Sequence, residues 1–249
     1  MKKIILLLAA AVALSACTIN LGNGIKFGGA KVVRCDGEVK EQAYDLKDFE
    51  SIVVKGQANV TFVQADSFLV SVKANEEVFE YLELDAVDGQ LTIDTKDGVN
   101  ILAKTFRVTI NAPLLTDVKV AGAADLDMPG AYTSDKPLNI AVNGAGDFSL
   151  EGLTVPSMEL VINGAGDLDI QNSTITELEV TVNGAGDVDI DSITADSVSV
   201  TVRGAGDVQI SGTAGQADFH VAGAGSVDAR SLKCENVTTA KHGAASIKL

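Results

Sequence analysis

The chain has 249 residues, of which 46% are hydrophobic and only 4% aromatic, with no Trp and 24 Gly. This length accommodates one or two domains, and the many small and β-branched residues favour regular strands with tight turns over a bulky core. The formal net charge of −15 excludes a general binder of nucleic-acid phosphates, because no basic stripe is present to contact them.

The N-terminal residues have the organisation of a processing signal. Two lysines precede an apolar run, residues 4–14, that is too short to cross a bilayer as a stable helix. The run ends in Leu-Ser-Ala-Cys at residues 14–17, which resembles the lipobox of bacterial lipoproteins. That resemblance implies a signal peptide at residues 1–16, lipidation of Cys17 and attachment to a membrane through the acyl chains. The alternative is an ordinary secretory signal followed by a chance Cys.

Residues 17–31 are predicted to form the lipidated Cys and a flexible tether, because they include four Gly and few side chains that could pack. Thr18 follows Cys17 where an Asp would resemble an inner-membrane retention signal. No acidic run that resembles a surface-export signal follows either. Both features favour anchoring in the outer membrane, at its periplasmic face rather than at the cell surface.

Residues 32–120 are predicted to be an irregular β segment that caps one end of the same domain. The stretch 75–84 fits either a helical turn or the start of a strand. Alternating apolar residues indicate strands at 49–64, 68–74, 88–96 and 106–113.

From residue 121 onward an eight-residue phrase recurs, most clearly as NGAGDLDI at residues 163–170. A degenerate copy, KGQANVTF, lies upstream at residues 55–62. The first glycine of the phrase falls at seven positions: Gly122, Gly144, Gly164, Gly184, Gly204, Gly223 and Gly243. The spacings are 22, 20, 20, 20, 19 and 20 residues, and a period of this size is typical of a solenoid whose repeats pack on their neighbours.

Each repeat is predicted to contain two strands and a short third side. Around Gly144, Gly164, Gly184 and Gly204, residues six, four and two positions before the glycine are apolar, and so are those four and six positions after it. The Gly-Ala-Gly between them suits a corner, because Gly adopts backbone angles that a Cβ forbids. The third side is marked by Leu153, Ile175, Ile193 and Leu232. The chain is therefore predicted to be all-β, with residues 121–249 forming a right-handed parallel β-helix of about 20 residues per coil.

The repeated NGAGD corner, preceded by ESIVVKGQANVTFVQ at residues 50–64, resembles the head GIN domain family, also described as putative auto-transporter adhesin. The resemblance covers residues 49–249. It implies a β-helical protein of the cell envelope, often lipid-anchored. It implies no settled activity.

Outward-facing aspartates are predicted to align in two rows, three and five positions after each first glycine. They form a candidate face for a cation or another ligand: Asp125, Asp127, Asp147, Asp167, Asp169, Asp187, Asp189 and Asp207. Carboxylates on coils about 4.8 Å apart repel one another. Hydrogen bonds from backbone N–H groups at the corner would offset this repulsion, and so would bound Ca²⁺, although no calcium-binding loop motif is present. No other cofactor is expected.

Other polar residues of the repeats are expected to be structural. Asn143, Asn163 and Asn183 would stack as a ladder of amides, and Arg203 would continue the row and neutralise nearby carboxylates. His220 and His242 are offset from each other, and no Cys or further His completes a metal site.

Two cysteines, Cys35 and Cys234, remain after lipidation. They would form a disulfide if an oxidising envelope brought them together. The inward position of Cys234 instead favours a small buried hydrophobic residue. The sequence leaves both alternatives open.

No nucleophile elbow, phosphate loop or complete catalytic set is recognisable, so the protein is not expected to be an enzyme. The favoured interpretation is a lipid-anchored, adhesin-like envelope protein whose acidic face binds a glycan or an envelope protein. One alternative is a structural or assembly module that stacks through its ends. Another is a divergent polysaccharide lyase, since many β-helix proteins carry clustered aspartates in a groove.

Overall fold

The computed structural model describes residues 26–27 and 30–249, of which 74% are in β-strands and almost none in helix. The first ten strands are β1 Lys26–Phe27, β2 Ala30–Cys35, β3 Val39–Tyr44, β4 Ser51–Gly56, β5 Asn59–Gln64, β6 Leu69–Asn75, β7 Leu82–Val87, β8 Gln90–Thr95, β9 Val99–Ala103 and β10 Phe106–Ala112. The others are β11 Asp117–Ala123, β12 Asp125–Met128, β13 Tyr132–Thr133, β14 Leu138–Ala145, β15 Asp147–Glu151, β16 Leu153–Gly164, β17 Asp167–Gln171, β18 Thr174–Gly184, β19 Val188–Gly204, β20 Asp207–Gly223, β21 Ser226–Gly243 and β22 Ser246–Lys248. A single turn of 3-10 helix lies at Glu76–Glu80.

The strands stack in parallel as the coils of a solenoid. Strand β14 pairs with β16, β16 with β18, and the series continues through β19, β20 and β21. Each first glycine lies beside the first glycine of the next coil, from Gly122 beside Gly144 to Gly223 beside Gly243. The predicted stack of coils, each about 20 residues long, is confirmed.

Each coil buries the apolar positions that the alternation predicted. Leu138, Ile140 and Val142 of one coil are at most 1% exposed, and their equivalents are buried in the following coils as far as Ala217, Phe219 and Val221. Burial of one such side chain contributes about 1.5–3 kcal/mol relative to leaving it in water. The core is therefore a continuous column of aliphatic side chains along the stack.

The third side of the coils is also apolar, and Leu153, Ile175 and Ile193 are buried there as predicted. Leu232 is only half-buried, because it lies in the last complete coil. In the coil of Ile175, the position equivalent to Leu153 is taken by Ser173, which is 2% exposed. Its hydroxyl donates to the backbone carbonyl two residues before it and accepts a hydrogen bond from the N–H of Leu153, so the buried polar group is satisfied.

The corner between the two main strands requires glycine for a steric reason. The φ angle of Gly164 is +154°, and a Cβ built on it would lie 1.9 Å from the carbonyl oxygen of Gly144 in the preceding coil. No side chain fits at such a separation, and side chains also disfavour a positive φ. The repeated glycine thus permits the backbones of successive coils to stack at the corner.

The repeat register begins upstream of residue 121. Strand β4 pairs in parallel with β11 and places Gly56 beside Gly122, while β5 pairs in parallel with β12. Strand β8 pairs in parallel with β4 and antiparallel with β7. Strand β10 pairs in parallel with β5 and antiparallel with β6. The stretch 75–84 contains both structures that the sequence allowed, a 3-10 turn at Glu76–Glu80 followed by the start of β7.

At the opposite end, β21 pairs along most of its length only with β20. Val237 on this edge is 39% exposed, and Lys241 occupies a position that pairs with buried Val221. A lysine at such a position blunts the edge against pairing with another strand. Within the described residues, no helix has the length and apolar character needed to cross a membrane.

Candidate functional site

The predicted rows of aspartates lie on one face of the solenoid. Parallel pairing places Asp147 beside Asp167 and Asp169 beside Asp189. The residues between the two rows, such as Phe148 and Leu168, point into the core and are at most 3% exposed. We call the two rows together the acidic face, and its neighbouring carboxylates lie on strands about 4.8 Å apart.

The first row is held by hydrogen bonds that run from one coil to the next. The Oδ1 of Asp125 accepts from the backbone N–H of Asp147 at 3.1 Å, and the same contact joins Asp167 to Asp187 at 3.1 Å. The carboxylate of Asp187 accepts from Asp207 N–H at 3.0 Å. The carboxylate of Asp207 accepts from Ser226 N–H at 3.1 Å and from its hydroxyl at 2.8 Å. Backbone N–H groups therefore offset the repulsion within this row, as the sequence suggested.

The row is interrupted at one coil. The N–H of Asp167 donates to the carbonyl of Gly146 at 3.1 Å, so Asp147 does not receive the contact that the other aspartates of the row receive. Its carboxylate is exposed. Asp147 is consequently the member of the first row whose carboxylate is freest to accept a hydrogen bond from a ligand.

The second row has fewer internal partners. Asp169 accepts from the side-chain amide of Gln171 at 2.8 Å. Partial burial raises the pKa of the Asp189 carboxyl, and the negative charges of Asp169, Asp187, Asp191 and Asp167 raise this pKa further. Four carboxylates therefore lie close enough to Asp189 to disfavour its charged form.

Arginines lie at both ends of the acidic face, the upper end being the one next to the N-terminal strands and the lower end the one formed by the last coils. At the lower end, Arg230 binds the carboxylate of Asp228 through Nε at 2.9 Å and Nη2 at 2.6 Å. This pair lowers the pKa of Asp228 to about 2. At the upper end, Arg107 lies beside Asn59, and the Asn59 amide donates to the Asp125 carboxylate at 2.7 Å.

Sequence reasoning missed Arg107 because its position depends on the long-range pairing of β10 with β5. Asn59 carried a usable signal, since it lies in the degenerate copy at residues 55–62, three positions after Gly56. Both residues line a shallow groove of about 670 Å³ that includes most of the predicted aspartates. An adjoining groove of about 610 Å³ continues from Asp169 and Asp189 to Arg230.

The described residues include no group of three or more His, Cys, Asp or Glu side chains placed to hold a metal ion. In the first row, one oxygen of several carboxylates is already engaged by a backbone N–H. Binding of Ca²⁺ to this face stays a prediction.

The asparagine ladder is present. The Asn163 amide donates to the Asn143 side-chain oxygen at 3.0 Å, and the Asn183 amide donates to Asn163 at 2.9 Å. Arg203 continues the row beside Asn183. The expectation that Arg203 neutralises nearby carboxylates is wrong, because in the described part of the chain none lies within 4.0 Å of it.

The remaining cysteines are not paired with each other. Cys35 is buried in β2, Cys234 is half-buried in β21, and both are free. These strands belong to separate sheets. Burial raises the pKa of the Cys35 thiol, and the carboxylates of Glu77 and Asp36 raise it further. The predicted lipidation site Cys17 lies outside the described residues.

A family model described as "Putative auto-transporter adhesin, head GIN domain" matches residues 48–211 and 176–249. The matched ranges include every coil and the whole acidic face. No curated protein matches the chain.

Several solved structures share the fold. A putative adhesin from Bacteroides fragilis is 20% identical, with a TM-score of 0.77, over 87% of this chain and 99% of that chain. A putative lipid binding protein from Parabacteroides distasonis is 16% identical, with a TM-score of 0.74, over 88% and 99%. A putative adhesin from Parabacteroides merdae is 20% identical, with a TM-score of 0.68, over 88% and 100%. At these identities the likeness establishes the fold alone.

Proposed function

The chain belongs to the family described as putative auto-transporter adhesin, head GIN domain, and from this membership we propose that it is a non-enzymatic, adhesin-like module of the cell envelope. In this proposal the acidic face binds an extended, positively charged segment of another envelope protein. Cys17 anchors the module to the outer membrane, at its periplasmic face, through acyl chains. The description of the B. fragilis and P. merdae structures as putative adhesins agrees with a binding role.

The acidic face carries this proposal. Its first row includes five aspartates on successive coils, from Asp125 to Asp207, which span about 20 Å at the usual strand spacing. In the described part of the chain, the cation paired with the face is Arg230, which binds Asp228 at the end of the second row. The charge of the aspartates above that pair is not neutralised by ion pairs, so a partner with matching positive charge would gain attraction along the whole length of the face.

A cationic protein segment fits the face better than a glycan does. Sugar rings commonly stack on aromatic side chains, whereas the residues lining the two grooves include Phe148 alone among aromatics, and its ring is buried. The lining is otherwise carboxylate, amide and hydroxyl groups over an aliphatic core, with the guanidinium of Arg107 at one end. Carboxylates accept charge-assisted hydrogen bonds from Lys and Arg, which are roughly twice as strong as neutral ones.

The proposal is tested by titrating the full chain with decalysine in low salt and measuring the dissociation constant by calorimetry. We expect the double substitution Asp167→Asn with Asp187→Asn to weaken binding about fivefold, the loss expected for two exposed charge pairs. Asparagine at either position can still accept the coil-to-coil hydrogen bond, so folding should be retained.

The matched control is Glu159→Gln with Glu179→Gln. It removes two exposed carboxylates that lie beside each other on adjacent strands, on another side of the same two coils. It should leave decalysine binding nearly unchanged. Equal losses from both doubles would mean that the net charge alone attracts the peptide, and the acidic face would not be the site. Binding of a neutral glycan in the presence of Ca²⁺, lost in the aspartate double, would favour the glycan alternative. New ultraviolet absorbance on uronate polymers would instead reveal a lyase.

A further inference from the structure

A second polar site lies around the glycine corner from the acidic face, on the last three coils. Three side chains that carry or can gain positive charge line one cleft of about 210 Å³: Arg203, His220 and His242. All three are exposed. We call this site the basic cleft, and it is local to a protein whose net charge is −15.

The strand register explains how the basic cleft forms. Arg203 lies beside Ala222, and Ala222 lies beside His242 in the next strand. His220 occupies the neighbouring column, two residues before Ala222, and lies beside Ala240. The two alanines leave a hollow between the three longer side chains. Since adjacent strands are about 4.8 Å apart, the Cα atoms of Arg203 and His242 are about 9.6 Å apart, which leaves room for one small ion between their side chains.

The charges around the basic cleft favour an anion. In the described part of the chain, no carboxylate lies within 4.0 Å of Arg203 or His242. The carboxylate of Asp218 is the one group that approaches His220, with its Oδ1 3.8 Å from Nδ1. That oxygen is buried and lacks a hydrogen-bond partner among the described residues, and Nε2 of His220 lies on the far side of the ring from it.

We propose that the basic cleft binds a phosphate or sulfate group. A guanidinium presents parallel N–H donors that match two oxygens of such a group, and each imidazole can supply one more donor. Donors placed on three sides suit a tetrahedral oxyanion better than a planar carboxylate, which has only two oxygens to share among them.

The direct test is titration of the full chain with sodium sulfate at pH 5.5 and constant ionic strength, measured by calorimetry. We expect Arg203→Gln to weaken binding about tenfold, the loss expected for one charge-assisted hydrogen bond. His220→Gln should also weaken binding.

The control is Arg34→Gln, which removes an exposed arginine from β2 in the separate sheet. It should bind sulfate like the parent chain. Sulfate binding that is absent at pH 5.5, or that falls equally in Arg34→Gln and Arg203→Gln, would overturn the proposal. Thermal unfolding of each variant shows whether the fold is retained, and Arg203→Lys, which keeps the charge, should recover part of the affinity if Arg203→Gln is unstable.

A second set of measurements distinguishes the source of the oxyanion. Vesicles of phosphatidylglycerol and of phosphatidylcholine are compared for binding of the parent chain and Arg203→Gln. Weaker binding of the variant to phosphatidylglycerol alone assigns the site to a lipid head group. Equal binding of both chains assigns it to a soluble or glycan-borne phosphate or sulfate, provided that the sulfate titration is positive.

Discussion

Single atoms decide what each repeat tolerates at its corner. At Gly164 the limit is the carbonyl oxygen of the preceding coil, which a Cβ would meet at 1.9 Å. Gly89 lies in a turn with a φ of +80° but has no atom within 4 Å of the position of a Cβ. Comparison of alanine substitutions at the two glycines therefore separates the free-energy cost of a positive φ from that of a collision with the backbone.

We predict that Gly164→Ala lowers the free energy of unfolding by about 3 kcal/mol or more, because the coils must separate at the corner. Gly89→Ala should cost only about 1–2 kcal/mol, the penalty for a left-handed conformation. Urea unfolding of both variants provides the measurement. Similar losses in the two variants would mean that the stacked corner relaxes easily.

The carboxyl of Asp189 has a raised pKa because of partial burial and the neighbouring aspartates. The folded state therefore binds this proton more tightly than the unfolded state, and the associated stability is lost as the pH rises through the folded pKa. We expect Asp189→Asn to raise stability at pH 7 by on the order of 0.5 kcal/mol and to give no gain at pH 3. Thermal unfolding at the two pH values tests the sign.

Asp228 provides the opposite case, since Arg230 lowers its pKa to about 2. Its contribution to stability is present above its ordinary value of 3.8 and is lost as the pH falls toward the lowered value. Asp228→Asn should therefore destabilise the protein at pH 7. If both substitutions shift stability in the same direction, the charge distribution on the face differs from the one described.

At the scale of the element, the coil is a self-contained unit. Its backbone hydrogen bonds go to the coil above and the coil below, and its apolar side chains pack on equivalent side chains of those neighbours. Stability then approximates a sum of coil and interface terms. A whole coil can in principle be removed without changing the contacts between those that remain.

We predict that deletion of residues 164–183, a complete coil of 20 residues, yields a folded protein. Gly184 then lies beside Gly144, and the same inward and outward positions are kept. Circular dichroism should show the same strand content per residue, and the urea m-value should fall because less surface is exposed on unfolding. Deletion of residues 164–173 is the control. It joins strands out of register and should prevent cooperative unfolding, and equal behaviour of the two deletions would contradict the register.

The regular coils could be predicted because their information is local and repeated. The alternation around Gly164 and Gly184 predicted the position of each strand, the side of it that is buried and the place of the corner. The same pattern in neighbouring repeats supported each of these predictions. The N-terminal strands offered no such check. Strand β10 pairs in parallel with β5 and antiparallel with β6, and these pairings do not follow the 20-residue period of the later coils. Arg107 was therefore missed at the acidic face, and the ion pair expected of Arg203 was wrong because outward columns on different sides of a corner do not meet.

Over the whole molecule, negative and positive surface charges lie on different sides of the solenoid. The acidic face occupies the side after the glycine corner, and the basic cleft lies on the side before it, within the last coils. Antiparallel strands continue the stack beyond the first coils, while Lys241 lies on the edge of the last. Two surfaces of opposite sign can thus engage different partners without competing for the same residues.

The stacked corner glycines, from Gly122 to Gly243, affect how such a protein can evolve. Because each corner needs only another such corner beneath it, duplication of a gene segment that encodes one unit adds about 4.8 Å of length and further carboxylates, while every older interface is preserved. The length of a polymeric partner that the protein can contact then increases with the number of coils. Avidity can be adjusted in whole steps, with no need to redesign any individual contact.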